Sequence, residues 1–300
     1  MKTYLDCIPC FVRQTLAHVR RATTDESVHE KVARRVLRVL ADMDLSTSPP
    51  AMGQEIFRAV REITGNKDAF AEDKRLMNEH ALSLVSDIRA RYNRDGAERF
   101  ESLVRLAIAG NIIDLGARTD FHKDDVLDSL ARSIHAPIDM HAVEELREEI
   151  NRAKRILYLG DNAGEIVFDR LFIEHLPAGK ITYVVKGSPV INDVTMEDAA
   201  QAGMPDFIEV IDNGSDAPGT ILADCSADFR AAFDGADLVI AKGQGNYETL
   251  SDVDKNIAFL LQVKCPVIAR DAGCETGSFV IVMRKNLRPK EPASEARAGA

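Results

Sequence analysis

Two hydropathy rhythms divide the chain. Up to about residue 153, apolar side chains recur every three or four positions, as in "VHEKVARRVLRVLADM" and "EHALSLVSDIRARY". That spacing belongs to amphipathic helices. The breaks between them, "DLSTSPPAMG", "ITGNKDAF" and "NRDGAE", are turn chemistry. Pro49 and Pro50 suit the first turn of the helix that continues through "QEIFRAVREI". From Arg155 the rhythm changes. Short β-branched runs appear at "RILYLG" (155–160), "ITYVVKG" (181–187), "FIEVID" (207–212), "ADLVIAKG" (236–243), "CPVIAR" (265–270) and "SFVIVMR" (278–284). Helical stretches separate them at 164–176, 194–203, 222–234 and 247–262. Strands that are apolar on both faces and alternate with helices imply parallel pairing. The expected fold is α/β, a Rossmann-like, doubly wound, mostly parallel sheet with an N-terminal all-helical region capping the sheet edge. The expected divisions are a helical region at 1–153, an α/β domain at 154–287 and a disordered tail at 288–300, where "RPKEPASEARAGA" is small and polar.

Composition narrows the class. The 300 residues are 45% apolar and 29% charged, as in a globular protein. No apolar run approaches the roughly 18 residues a membrane span needs, and "MKTYLDCIPCFVRQ" lacks a signal-peptide core. A cytoplasmic protein with no membrane partner is expected. The formal net charge of −10 argues against nucleic acid as a partner. It leaves room for a small anionic ligand, because a local site can differ from the global balance.

Candidate chemistry collects at the strand ends. In open parallel sheets, ligands bind beyond the carboxyl ends of the strands. Here those ends read "GDNAGE", "KGSPVINDVT", "DNGSDAPGT", "KGQGNYE" and "RDAG". They supply Asp161, Asn162, Glu165, Asn192, Asp193, Asp212 and Asp271 as oxygen donors, with Lys186, Lys242, Ser188 and several glycines. Asp161 and Asn162 could serve only to cap the helix that follows, and so could Asn192 and Asp193. Two loops that each pair Asn with Asp, beside two lysines, favour a shared ligand instead. A bare phosphate next to Asp161 would meet repulsion of roughly 4 kcal/mol at about 4 Å. A divalent cation between them removes it, and an oxygen-rich set favours hard ions such as Mg²⁺ or Mn²⁺. The seven histidines are scattered, none at a strand end, which argues against a histidine-built zinc site. Gly243 and Gly245 would let backbone N–H groups approach an anion closely.

"CIPCFVRQ", "AGNIID", "LGDNAGEIVFDR", "VVKGSPVINDVT", "DLVIAKGQGNYETL" and "KCPVIA" together closely resemble the metal-dependent damage-control phosphatase family, over about residues 4–285. The CxxC start resembles its prokaryotic branch. The resemblance implies a phosphomonoesterase that hydrolyses small phosphometabolites, such as damaged or excess sugar phosphates or cofactor precursors. It also implies a divalent cofactor, Mn²⁺, Mg²⁺, Co²⁺ or Ni²⁺. Carried over position by position, Asp161, Asn162 and Asp193 would hold the metal. Lys242, Gly187 and Ser188 would contact phosphate, and Asn111 would line the same cavity. Glu165, Gly243 and Asn246 would be further substrate contacts. Asp161, Asp193 and Lys242 would be catalytic, the nucleophile being either a metal-activated water or Asp161.

Other readings stay open at this level. Cys7 and Cys10 supply two thiols, and a structural zinc would need Cys265 and Cys274 to complete the set. Plain buried thiols are the simpler expectation. "ILYLGDNAG" is superficially like an S-adenosylmethionine loop, although it has no GxG in the turn. A methyltransferase and a non-catalytic phosphometabolite-binding module are the alternatives.

Overall fold

The computed structural model describes residues 1–91, 96–110 and 123–285. Asn111 and the tail expected at 288–300 lie outside the described residues. The first half is helical: α1 (Ile8–Ala22), α2 (Glu26–Ala41), α3 (Pro49–Thr64), α4 (Ala71–Arg91), α5 (Gly96–Ala109), α6 (Lys123–Ile134) and α7 (Met140–Arg152). Local chemistry sets the ends. Asp25 caps α2 by accepting the Ser27 N–H at 2.8 Å. Pro49 and Pro50 open α3, and Gly65 closes it at φ +70°.

The second half runs β1 (Ile156–Leu159), α8 (Glu165–Ile173), β2 (Ile181–Val185), α9 (Met196–Gln201), β3 (Glu209–Asp212), α10 (Ala227–Gly235), β4 (Leu238–Lys242), α11 (Gly243–Leu250), β5 (Ile257–Gln262), α12 (Pro266–Ala272) and β6 (Phe279–Arg284). The sheet order is β3-β2-β1-β4-β5-β6. β1 to β5 are parallel, and β6 is antiparallel to β5. The strand order reverses direction between β1 and β4, which makes the crevice beyond their carboxyl ends the natural ligand position.

Two of the expected elements exchange places. The stretch 247–262, read as a helix, ends α11 at Leu250 and then forms β5, whose "IAFLLQ" is apolar on both faces. Hydrophobic period alone cannot separate such a run from a buried helix. The run 265–270, read as a strand, is instead α12, with Cys265 at the N-cap and Pro266 in the first turn. Proline lacks the N–H that a central strand donates, while the first helical turn has no use for it. Asp271 therefore sits on a helix rather than at a strand end.

The helices divide by what they cover. α4, α5 and α7 share one core with α8 and one face of the sheet, through residues such as Leu84, Ile108, Leu146, Tyr158 and Phe168. Phe229, Phe233, Tyr247 and Leu250 pack on the opposite face. α1 to α3 form a third core that takes in Val190 from the β2–α9 loop. They are tied to the β3–α10 loop by Gln54, whose Nε2 donates to Asp216 and Asp224 at 2.7 Å each, and by Arg58 on Asp216. So α1–α3 cap the loop edge of the sheet, while α4–α7 cover a face. Among the described residues, no helix is long and apolar enough to cross a membrane.

Candidate active site

The site begins with two loops joined edge to edge. After β1 the chain passes through Gly160 to Asp161, Asn162, Ala163 and Gly164 before α8 starts. After β2 it passes through Lys186 to Asn192 and Asp193. Val194 N–H donates to Asp161 C=O at 2.9 Å, Ala163 N–H to Asn192 C=O at 2.9 Å, and Lys186 N–H to Val194 C=O at 2.8 Å. An isolated antiparallel bridge pairs Asn162 with Asp193. This pairing brings Asp161, Asn162 and Asp193 together from separate loops. Ile191, just upstream, sits at φ +44°, a conformation that strains a β-branched residue by about 1–3 kcal/mol.

The helical half locks both loops from below. Asn78 of α4 is fully buried. Its Oδ1 accepts the Gly164 N–H at 2.6 Å, and its Nδ2 donates to Asp198 and Gln201 at 2.9 Å each. Asp198 in turn closes a capping box with Thr195 at the start of α9 and pairs with the buried Lys74. Sequence reading missed this pair, because neither Lys74 nor Asn78 lies near a strand end in the chain.

The electrostatics are unusual for two carboxylates. Asp161 keeps an edge at the mouth of the site but is otherwise ringed by protein, and Asp193 is buried. Burial pushes the Asp161 carboxyl up to about 6, with the Asp193 charge adding to the rise and Lys264 and Lys186 opposing it. Burial likewise pushes Asp193 up to about 6, against the pull of Lys186. Lys186 Nζ lies 3.4 Å from Asp193 Oδ2 and also donates to Gly219 C=O. Asp193 Oδ2 is buried and, beyond the Lys186 ammonium at 3.4 Å, has no hydrogen-bond partner among the described residues. One ammonium at that distance only partly offsets two neighbouring carboxylates, and a second cation between them would offset the rest.

These groups fit a hard divalent ion. Two carboxylates and the Asn162 amide oxygen offer oxygen ligands, and such ions commonly complete their shell with water or phosphate oxygens. Among the described residues, no three His, Cys, Asp or Glu side chains converge on one point, so carboxylates alone do not build a closed cage. Among the described residues Cys7, Cys10, Cys265 and Cys274 form no such three-ligand group either. All five thiols are outside disulfides. Cys265 accepts a weak hydrogen bond from Gln244 at 3.7 Å, and burial raises Cys7.

Other expected site residues land elsewhere. Lys242 does not face the loops. It is fully buried, and its Nζ donates to Ala107 C=O at 2.7 Å, Glu165 Oε1 at 2.5 Å and Asp169 Oδ1 at 2.7 Å. All three donors are engaged, so in this arrangement it reaches no phosphate. Glu165 is buried under the loop, bound to Lys242 and to Asn162 Nδ2 at 3.2 Å. Asn246 is buried too. Its Nδ2 donates to Lys242 C=O at 2.8 Å and its Oδ1 accepts from Thr220 at 2.8 Å, so it fastens a strand end. Gly243 opens α11 at φ +77°, and a Cβ there would overlap the Asp161 carboxylate. The backbone approach read as a phosphate nest is made to Asp161. Gly187 and Ser188 are exposed on the rim, and the N–H groups of both lean on Ser215 C=O. Asp212 turns back to accept the Gly214 N–H at 2.9 Å, and Asp271 accepts from Tyr247 at 2.6 Å.

Two unforeseen residues flank the carboxylates. Lys264, exposed on the β5–α12 loop, pulls down Asp161, Asp193 and Glu248 alike. Burial pushes Glu248 up to about 7, and Asp161 contributes. Misreading 265–270 as a strand hid Lys264, which follows the true β5. A cavity of about 550 Å³ opens between Lys154, Thr182, Phe207 and Ala232. It lies at the amino ends of the strands, away from these loops, and gathers no carboxylate pair.

Residues 3–280 match the family model described as the damage-control phosphatase ARMT1-like domain. The chain is 34% identical to the damage-control phosphatase PH1575 of Pyrococcus horikoshii, over 95% of this chain and 99% of that protein. It is 34% identical to a damage-control phosphatase of Archaeoglobus fulgidus, over 91% and 96%. An uncharacterized protein of Methanocaldococcus jannaschii is 35% identical over 93% of this chain and 94% of its own. The fold is similar to the crystal structure of a DUF89 family protein from P. horikoshii, with a TM-score of 0.87 over 95% of this chain and 100% of that one, at 34% identity.

Proposed function

We propose that this chain, which belongs to the damage-control phosphatase ARMT1-like family, is a phosphatase that hydrolyses small phosphorylated metabolites with a divalent cation held by Asp161, Asn162 and Asp193. The observation that carries the reading is the pairing of the buried Asp193 with the half-buried Asp161, two carboxylates brought together with only the Lys186 ammonium, 3.4 Å from Asp193 Oδ2, beside the buried oxygen among the described residues. When bound, Mn²⁺, Mg²⁺, Co²⁺ or Ni²⁺ would offset the two aspartates and polarise a phosphoryl group.

The chain's own residues do the rest. Lys186 favours the ionised form of Asp193 from 3.4 Å. Gly243, packed on the Asp161 carboxylate, fixes its orientation. Lys264, exposed and close enough to shift both aspartates, supplies the positive charge that greets an incoming phosphate. Gly187 and Ser188, exposed after β2, remain available to contact the substrate in this reading. Lys242 acts beneath the site, as a buried partner of Glu165 and Asp169.

Phosphate release from p-nitrophenyl phosphate, phosphosugars, phosphopantetheine derivatives and nucleotides tests this, after chelation and with each metal restored singly. Turnover should require added metal and vanish in Asp161→Ala and Asp193→Ala. Tight binding of phosphorylated compounds without turnover under any metal would make the chain a binding module instead. Tight binding of S-adenosylmethionine without phosphate release would favour a methyltransferase.

A further inference from the structure

A second layer of charge lies under the carboxylate pair. Asp169 is fully buried on α8 and accepts from Tyr158 Oη at 2.8 Å, Tyr183 Oη at 2.9 Å and Lys242 Nζ at 2.7 Å. Lys242 passes on to Glu165 Oε1 at 2.5 Å. Glu165 Oε2 accepts from Asn162 Nδ2 at 3.2 Å, and the same nitrogen donates to Asp161 Oδ2 at 2.8 Å. The hydrogen-bonded path from the tyrosine pair to the loop is continuous.

The path matters because Asn162 has two unlike ends. A hard cation binds only the carbonyl oxygen of an amide, and the NH₂ end repels it. The oxygen–nitrogen ambiguity of an asparagine amide is removed here by its neighbours. Ionised, as the Lys242 contact favours for Glu165, the carboxylates on both sides of Nδ2 can only accept, so the nitrogen faces them and Oδ1 turns away. Asp161 alone would not secure this, since a cation draws that carboxylate to itself. Glu165 lies one helical turn from Asp169 on the same face of α8, and Lys242 joins the two. Gly110, at the end of α5, leaves no room beside Glu165 and Phe168: a Cβ there would come within 3.2 Å of Glu165 Cγ.

We infer that Glu165 is a positioning residue: it fixes the Asn162 amide so that its oxygen faces the cation, and Lys242 and Asp169 hold Glu165 in place. The inference rests on the cation reading above and adds a residue that touches neither cation nor substrate. Outer partners of metal ligands act in this way, and their loss weakens metal binding about 10–100-fold.

A double-mutant cycle read by Mn²⁺ binding calorimetry tests it on the full chain. Glu165→Gln sets one NH₂ group against another, or against Lys242. Asn162→Asp sets a carboxylate between two others. Each single change should weaken Mn²⁺ binding about 10–100-fold. The combined Asn162→Asp/Glu165→Gln variant restores a donor–acceptor pair on the Glu165 side with its polarity reversed, while Asp161 still faces a carboxylate, and should bind Mn²⁺ more tightly than Asn162→Asp. Wild-type affinity in either single variant would overturn the inference. So would a double variant no tighter than Asn162→Asp, which would mark Glu165 as a direct ligand or a purely structural group. If Glu165→Gln does not fold, recovery of binding from Asn162→Asp to the double variant reads the same contact. An unaltered chain that binds no Mn²⁺ fails the cation reading itself, a result distinct from any of these.

Discussion

Asn78 Oδ1 accepts the Gly164 N–H at 2.6 Å, so a side chain from the helical half completes the loop that carries Asp161 and Asn162. Gly164, the cap of α8, stands at φ +75° and contributes no side chain of its own to cap the helix. Asn78→Ala leaves the Gly164 amide without its acceptor and removes the donor to Asp198 Oδ1, at a cost of about 1–3 kcal/mol each. Urea denaturation should show a loss of about 2–4 kcal/mol, and residual activity should fall further than stability alone explains. Normal turnover in a folded Asn78→Ala protein would separate the helical half from the site.

Gly243 and Gly65 form a matched pair for testing close approach. Both have φ near +70°, yet a Cβ at Gly65 meets nothing within 4 Å, whereas at Gly243 it would overlap Asp161. Gly65→Ala should cost only left-handed strain, about 1 kcal/mol, and leave phosphate release unchanged. Gly243→Ala should carry the same strain and in addition displace the Asp161 carboxylate, lowering metal-dependent turnover at least about 100-fold. Equal activity in the two variants would mean that Asp161 tolerates movement.

The parallel sheet, its helical cover and the Asp161–Asn162–Asp193 loops were legible in the chain because each rests on local pattern: β-branched runs, turn residues and paired Asn–Asp at strand ends. β5 was not, since "IAFLLQ" has no period of its own and follows a real helix. Lys242 misled for a related reason. A lysine after a buried strand looks like a sheet-edge cation, and only three-dimensional packing reveals the partners that turn it inward. A signal was available: Asp169 stands in "EIVFDRLFI", a helix otherwise apolar around it, four residues after Glu165. Two acids on one face of a buried helix call for a buried base.

Lys264 and Lys242 should therefore respond oppositely to removal. Lys264 is exposed and acts on Asp161, Asp193 and Glu248 through charge, so Lys264→Ala should cost no more than about 1 kcal/mol of stability. It should raise KM for a phosphorylated substrate about tenfold, one lost charge-assisted contact. Lys242→Met strands two buried carboxylates and should destabilise by about 3–5 kcal/mol. A Lys242→Met protein as stable as the parent, or a Lys264→Ala protein with unchanged KM, would reverse the assignment of the two lysines.

Asp161 sets function against stability, and pH exposes the conflict. Its carboxyl sits at about 6 in the fold, raised first by burial and then by Asp193, against an ordinary 3.8. Between those values the unfolded chain gives up the proton more readily than the folded one. The folded state then binds more protons, so stability falls as pH rises from about 4 to about 6 and stays lowered above. Asp161→Asn has no proton to lose there. Without metal, its melting temperature should match the parent near pH 4, rise above it through this window, and remain above it at pH 7. Mn²⁺ should raise the parent at pH 7 and leave Asp161→Asn unmoved, since the cation meets a charge the variant lacks. Phosphate release should be lost in the variant throughout. Differential scanning calorimetry at pH 4, 5, 6 and 7, with chelator and with Mn²⁺, reads all of these together. A variant less stable than the metal-free parent at pH 7 would mean that Asp161 is held by ordinary hydrogen bonds and does not wait for a cation.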